Sequence, residues 1–370
     1  MGHGRMEPVH YVFSARGNEK DFPSIPHQFT MDNNTDTNDT FEATTAIELL
    51  LPASQEIRYL MAFTYLILSI IGVIPNIILA VTLIRIGTMP KQKVFVLLAE
   101  QILISDFCQL SSQLIVAFPL SLFGKNIYEG TPAIWVYNVI NFLDTVGYNG
   151  VLDFTFLMAV NRLTVFLMPG VHHFLFDPDH IKRTIIFVWS FLLMQITVEY
   201  CMRCHKQFTY DEFYFYFLCV DPSALYVVIW LGTMRYQSYS FPIIMFVTYI
   251  VLFCYIKMKL QNTGGGKPKN SSQRQRKYEI NLVLQAVIIS FFLELQTLSF
   301  TVLPMIGTGN NRFYSSLGQN VISIMNNSSN PYVYFFFNSQ IRAGMVALVQ
   351  CQSPKQKAQA AVTTISTVKG

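Results

Sequence analysis

Residues 135–168 read WVYNVINFLDTVGYNGVLDFTFLMAVNRLTVFLM. The segment is long and apolar, yet one stripe of it is polar. Tyr137, Asn141, Asp144 and Tyr148 recur at the four-three-four spacing of a single helix face. Further along stands Arg162, 18 residues after Asp144. At about 3.6 residues per turn that is roughly five whole turns, so the two side chains point the same way, about 27 Å apart. Ionisable groups at membrane depth cost at least ~2.5 kcal/mol each, so they turn toward a bundle interior and mark function. The expectation is one membrane helix that joins a ligand site at one end to a protein site at the other.

The chain has 370 residues, 52% hydrophobic and 13% charged, with positive mean hydropathy. That is too apolar and too weakly charged for a soluble protein of this size. The sequence holds no phosphate-cradling Gly-rich loop and no HExxH or CxxC pattern. No nucleophile-base pair or metal-ligand spacing emerges, so neither an enzyme nor a metal site is expected, nor a nucleic-acid partner. The six cysteines are scattered and do not form a disulfide framework. The first residues lack an apolar core ahead of a cleavage site, so no cleavable signal peptide is expected.

Outward from the central segment, seven apolar stretches approach the ~20 residues needed to cross a bilayer. They cover about 57–84, 93–118, 135–168, 183–201, 237–259, 280–306 and 314–337. Pro75, Pro242, Pro304 and Pro331 interrupt them, which bundle neighbours tolerate by satisfying the freed backbone groups. The first, third and fifth connections carry 12 Lys and Arg, against five in the second, fourth and sixth. That bias places the N-terminus outside and the C-terminus inside. Residues 1–56 are polar and acidic, with Asn33 and Asn38 as glycosylation acceptors of the N-x-T type. A glycine turn at 263–268 separates two basic helix extensions. After the seventh stretch, Phe337, Ile341, Met345 and Leu348 share one helix face, as in a helix lying along a membrane surface. Cys351 follows as a candidate palmitoylation site.

The expected fold class is an all-α membrane protein: a seven-transmembrane helix bundle with a short C-terminal amphipathic helix. Its layout is a disordered extracellular tail over 1–56, a receptor domain over 57–337, the amphipathic helix over 338–350 and a disordered cytoplasmic tail over 351–370. A transporter or channel would need an inverted repeat, and no halved pattern appears.

Particular residues carry a family resemblance over 57–350. Asn76 stands on the first segment, Asp106 on the second, Asn161-Arg162 near the end of the third, Trp189 in the fourth and Pro242 in the fifth. The seventh reads Asn326-Asn327-Ser328-Ser329-Asn330-Pro331-Tyr332-Val333-Tyr334, which contains NPxxY. This order resembles rhodopsin-like G-protein-coupled receptors. Asn161 replaces their usual acid beside the arginine, and no Trp precedes Pro304 by two residues. These departures resemble nematode chemosensory serpentine receptors of class X.

The resemblance implies a plasma-membrane receptor for an external small molecule. A heterotrimeric G protein is its implied partner, arrestin a further one, with membrane lipid around it. An amine or neuropeptide receptor of the same fold is the alternative. Asn161, Arg162, Asn330, Pro331 and Tyr334 become the coupling set. Without the adjacent acid, Glu100, Glu279 and Glu294 are the available partners of Arg162. Asn76, Asp106, Asn326 and Asn327 form a polar core, either a static network or a pocket for water or a sodium ion near Asp106. Asp144 resembles the amine-binding carboxylate of aminergic receptors, with Tyr137, Asn141 and Tyr148 beside it. Its other reading is a carboxylate satisfied by Tyr148 or a neighbouring helix. The long fourth connection, 202–236, suggests a β-hairpin lid or an aromatic seat at the membrane interface. The disulfide that ties this loop to the third helix in the family has no cysteine partner here: Tyr137 stands near its place. Cys201, Cys204 and Cys219 allow three pairs. Cys204–Cys219 within the loop is favoured, and free thiols are the alternative.

Overall fold

The structure is a computed structural model and describes residues 53–86, 93–262, 270–307 and 311–350. Asn33, Asn38, Cys351 and the turn at 263–268 lie outside the described residues, as does the side chain of Glu279. Helices α1 (Gln55–Ile86) and α2 (Lys93–Ser112) come first. A π-turn, Gln113–Ala117, joins α2 to α3 (Phe118–Phe123). There follow α4 (Ile134–Leu167), α5 (Pro169–Phe176) and α6 (Ile181–Cys201). Strands β1 (Cys204–Thr209) and β2 (Tyr214–Cys219) precede α7 (Leu225–Asn262), α8 (Asn270–Ile306), α9 (Arg312–Phe337) and α10 (Ser339–Val349). The seven spans are α1, the α2–α3 rod, α4, α6, α7, α8 and α9.

Six of these helices are long and apolar enough to cross a membrane. With no water in hydrocarbon, such a segment satisfies its own backbone by coiling. On α1 the exposed Phe63, Ile67, Ile70, Ile74 and Ile77 recur every three or four residues and form an apolar outer stripe. The seventh span, α9, is less apolar because its polar residues turn inward. Ser316, Gln319, Asn320, Ser323 and the run from Asn326 to Asn330 are all buried. This burial explains why α9 reads weakly as a membrane segment in the sequence.

Helix α4 occupies the middle, packed against α2, α6, α7 and β1. Gly147 and Gly150 let it approach α2 closely. A Cβ at Gly147 would stand 2.7 Å from the Ser105 backbone oxygen, and one at Gly150 would stand 2.3 Å from the Ser105 hydroxyl.

Three boundaries differ most from the sequence expectation; one is the sixth span, which begins at Asn270 rather than 280. The second span continues past Pro119 to Phe123. Pro119 has no N–H to offer the Ile115 carbonyl. The Tyr128 hydroxyl donates to that oxygen instead, at 2.5 Å. The fifth span begins at Leu225, so the fourth connection shrinks to 202–224. Arg235 and Gln237 interrupt the apolar run in sequence, but both lie within the helix, and Gln237 bonds to Asp153 and Gln195 of neighbouring helices. Pro75, Pro242, Pro304 and Pro331 all sit inside continuous helices. Pro304 falls two residues before the end of α8, so it does not bend the middle of that helix.

Candidate ligand site and polar core

The hairpin closes one end of the bundle. Its strands pair antiparallel, Cys204 opposite Cys219 and Thr209 opposite Tyr214. A disulfide joins Cys204 to Cys219. Alternation along β1 sends Cys204, Lys206 and Phe208 to one face, and Cys204 and Phe208 are buried. At the turn Phe213 takes φ +62°, a conformation that costs a bulky side chain roughly 1–2 kcal/mol. Its ring is fully buried, at 0% exposure, which returns about 2–3 kcal/mol. Its carbonyl accepts the Tyr65 hydroxyl at 3.0 Å and the Asn320 amide at 2.9 Å. The hairpin tip is thereby fastened to the first and seventh spans.

The hairpin base is fastened to the third span. The Phe208 backbone N–H donates to the Tyr137 hydroxyl at 3.1 Å. Lys206 forms an ion pair with Asp144. Ser112 of the second span donates to the other Asp144 oxygen at 2.5 Å. The Lys206 ammonium lies 6.0 Å from the Tyr148 ring centroid and 5.5 Å from that of Phe215. Asn141 is buried between Tyr137 and Asp144 on the same helix face. The four helix-face residues of the opening segment are therefore brought together, under a lid that supplies its own cation. Removing one partner of such a buried pair costs about 3–5 kcal/mol.

The middle of the bundle holds the polar core. The Asn330 amide donates to Asp106 at 2.7 Å. The Asn76 amide donates to the backbone oxygens of Asn327 at 3.0 Å and Gly72 at 3.1 Å. Asn326 turns elsewhere and donates to Gln296 of the sixth span at 2.7 Å. Gln296 in turn donates to Ser323 at 2.9 Å. The predicted asparagines thus form linked pairs across different helices rather than one ring. Buried Asp106 Oδ1, Asn76 Oδ1 and Asn330 Oδ1 hold no hydrogen bond among the described residues. Each is an oxygen of the kind that hard cations take as a ligand.

At the opposite end from the hairpin, Arg162 lies with its guanidinium carbon 5.4 Å from the Phe95 ring centroid. The same ring meets Tyr334 edge-on at 5.6 Å. Tyr334 and Tyr249 are buried within electrostatic reach of Arg162. Tyr334 therefore stands beside Arg162 while α9 remains continuous through Pro331. Asn161 is buried next to it. The amphipathic helix α10 starts on an Asn338 cap, whose side chain accepts from the N–H groups of Gln340 and Ile341. It buries Ile341 and Met345 against this end.

A further polar chain was not singled out from the sequence. Asp153 of the third span, 6% exposed, accepts from Gln237 of the fifth at 3.0 Å. Gln237 accepts from Gln195 of the fourth at 2.8 Å. Glu199, one turn beyond Gln195, is buried within electrostatic reach of Lys206. Asp153, Gln195 and Glu199 each stand in a largely apolar run, and Gln237 lies in the polar stretch from Arg235 to Ser240. The available signal is that Gln195 and Glu199 share a helix face four residues apart.

No curated protein matches the chain. The serpentine type 7TM GPCR chemoreceptor Srx family does, over residues 66–338, from within the first span to the cap of α10. The match spans well over half of the chain and reaches all seven spans of the bundle, and the chain is a member of the serpentine type 7TM GPCR chemoreceptor Srx family.

Proposed function

We propose that this chemoreceptor sits in the plasma membrane with its N-terminus outside, binds an external small molecule under the hairpin and activates a heterotrimeric G protein at the Arg162 end. The observation that carries the reading is the third span itself. One of its ends holds Asp144 in an ion pair with the lid, and the other holds Arg162 against Phe95 and Tyr334. The excess of Lys and Arg in the connections at the Arg162 end supports the orientation.

In this account the ligand reaches Asp144 by unseating part of the hairpin. The third span then shifts relative to the second, along the close approach at Gly147 and Gly150. Arg162 leaves Phe95 and Tyr334 to meet the G protein, and arrestin later uses the same face. A sodium ion held by Asp106, Asn76 and Asn330 would supply positive charge to the carboxylate in the resting bundle. The hairpin's inward seat, with Phe213 buried, favours a small ligand over a peptide.

The test is a calcium or cyclic-nucleotide readout in cells exposed to a panel of small metabolites and neuropeptides. An Arg162→Ala receptor should reach the cell surface and lose the response. Undiminished signalling in that variant contradicts the coupling role.

A further inference from the structure

The third span carries a further buried carboxyl group between its two charged ends. Asp153 lies nine residues from Asp144 and nine from Arg162. At about 3.6 residues per turn that is roughly two and a half turns, so Asp153 leaves the face those two share. It turns to the fourth and fifth spans and meets amides there. Gln195 Nε2 donates to Gln237 Oε1 at 2.8 Å, and Gln237 Nε2 donates to Asp153 Oδ1 at 3.0 Å.

This chain of two bonds is open at both ends. Asp153 Oδ2 and Gln195 Oε1 are buried and hold no hydrogen bond among the described residues. Both are acceptors, and both belong to groups already docked on the one Gln237 amide. No ion pair to Asp153 is present among the described residues. The ionisable groups of the packed helices are placed elsewhere. Glu199 of the fourth span lies within electrostatic reach of Lys206. On the fifth span Tyr239 bonds to Thr301, Tyr249 lies within reach of Arg162, and Arg235 is exposed. A carboxylate alone at membrane depth is costly, and an isolated buried acid takes up a proton instead.

One proton satisfies both open ends. A carboxylic acid and a carboxamide each present a donor and an acceptor side by side. With Asp153 protonated, three such groups close head to tail: Gln195 to Gln237, Gln237 to Asp153, Asp153 to Gln195. We propose that Asp153 binds a proton in the folded receptor and donates it to Gln195 Oε1, closing a neutral ring that clasps the third span to the fourth and fifth at mid-length. A water or a metal cation between the same two oxygens would leave Asp153 charged. The ring depends neither on where the ligand binds nor on G-protein coupling.

The experiment uses the full chain in detergent micelles and follows thermal unfolding against pH. Asparagine offers the donor and acceptor of the protonated acid, so Asp153→Asn keeps the ring without the titration. The unfolded wild type releases the proton above about pH 4, while the folded receptor keeps it. Each further pH unit should then favour unfolding of the wild type about tenfold relative to Asp153→Asn. From about pH 5 to about pH 7 the asparagine variant should gain on the wild type by about 2 °C or more per unit. Asp153→Ala opens the ring and should unfold about 4 °C or more below Asp153→Asn throughout. Parallel pH curves for wild type and Asp153→Asn, a gap that closes as pH rises, or equal midpoints for the asparagine and alanine variants overturn the proposal. Failure of Asp153→Asn to fold overturns it too.

Infrared difference spectra read the proton directly. Subtracting Asp153→Asn from wild type should reveal one carboxylic-acid carbonyl band. A carboxylate band in its place would mean that a water or a cation joins the two oxygens, and overturns the ring. Neither measurement involves a ligand or a G protein, so their outcome is separate from that of the signalling test.

Discussion

Lys206 of the hairpin and Asp144 of the third span form a buried ion pair, and this contact joins the lid to the helix that ends in Arg162. It does the work for which no cysteine is present on the third span. Around it, the Tyr137 hydroxyl takes the Phe208 N–H, and the Cys204–Cys219 disulfide closes the hairpin upon itself. The lid is thus internally cross-linked but attached to the bundle by breakable polar contacts. Such an arrangement holds the lid in register at rest.

Tyr137→Phe tests one of these contacts. The ring remains and the acceptor for the Phe208 N–H is lost, inside a buried region. An unsatisfied buried donor costs about 1–3 kcal/mol. Hydrogen exchange at the Phe208 amide should accelerate by about tenfold or more, since about 1.4 kcal/mol is a factor of ten. Unchanged exchange would mean that the hairpin base is held by other contacts.

Gly147→Ala tests the close approach of the second and third spans. The new Cβ meets backbone rather than a flexible side-chain end, at 2.7 Å from the Ser105 oxygen. The helices must separate, at roughly 1–3 kcal/mol. Gly170→Ala is the control, because nothing lies within 4 Å of its added carbon. There the gain in helix propensity should leave stability unchanged or raise it by up to about 1 kcal/mol. Thermal unfolding of the two variants should move in different directions. An equal effect would remove the case for a tight α2–α4 contact.

Gln296→Leu tests the sixth-to-seventh connection. Gln296 is buried and accepts from Asn326 at 2.7 Å while donating to Ser323 at 2.9 Å. Leucine strands the Asn326 amide, a loss of about 1–3 kcal/mol. Because the bond crosses between two spans, basal nucleotide exchange on a reconstituted G protein should change with it. A variant equal to wild type in both stability and exchange would make the contact incidental.

The sequence is most informative where chemistry is concentrated in a short stretch. NPxxY, its preceding asparagines and the polar stripe from Tyr137 to Tyr148 are local patterns, and helical periodicity alone assigns them to one face. Lys206 shows the opposite case. In the sequence it is one more charge in a connecting loop and counts toward orientation. Only the hairpin, folded back over the bundle, carries it to Asp144. The same holds for Asp153, Gln195 and Gln237, which come from three different spans and meet only when those spans pack. Arg235 and Gln237 also mislead a hydropathy window into starting the fifth helix late, and Gln237 shows why: a polar residue facing another helix looks the same as one facing water.

A double-mutant cycle on Asp144→Asn and Lys206→Met, read as unfolding free energy in the same lipid, tests the lid's attachment most directly. If the pair fastens the hairpin to the third span, each single change leaves a buried charge alone, and the double variant loses less than the two singles together, with a coupling energy of about 1–3 kcal/mol. Additive losses, equal within about 0.5 kcal/mol, would show that the two side chains do not hold each other and would contradict the account.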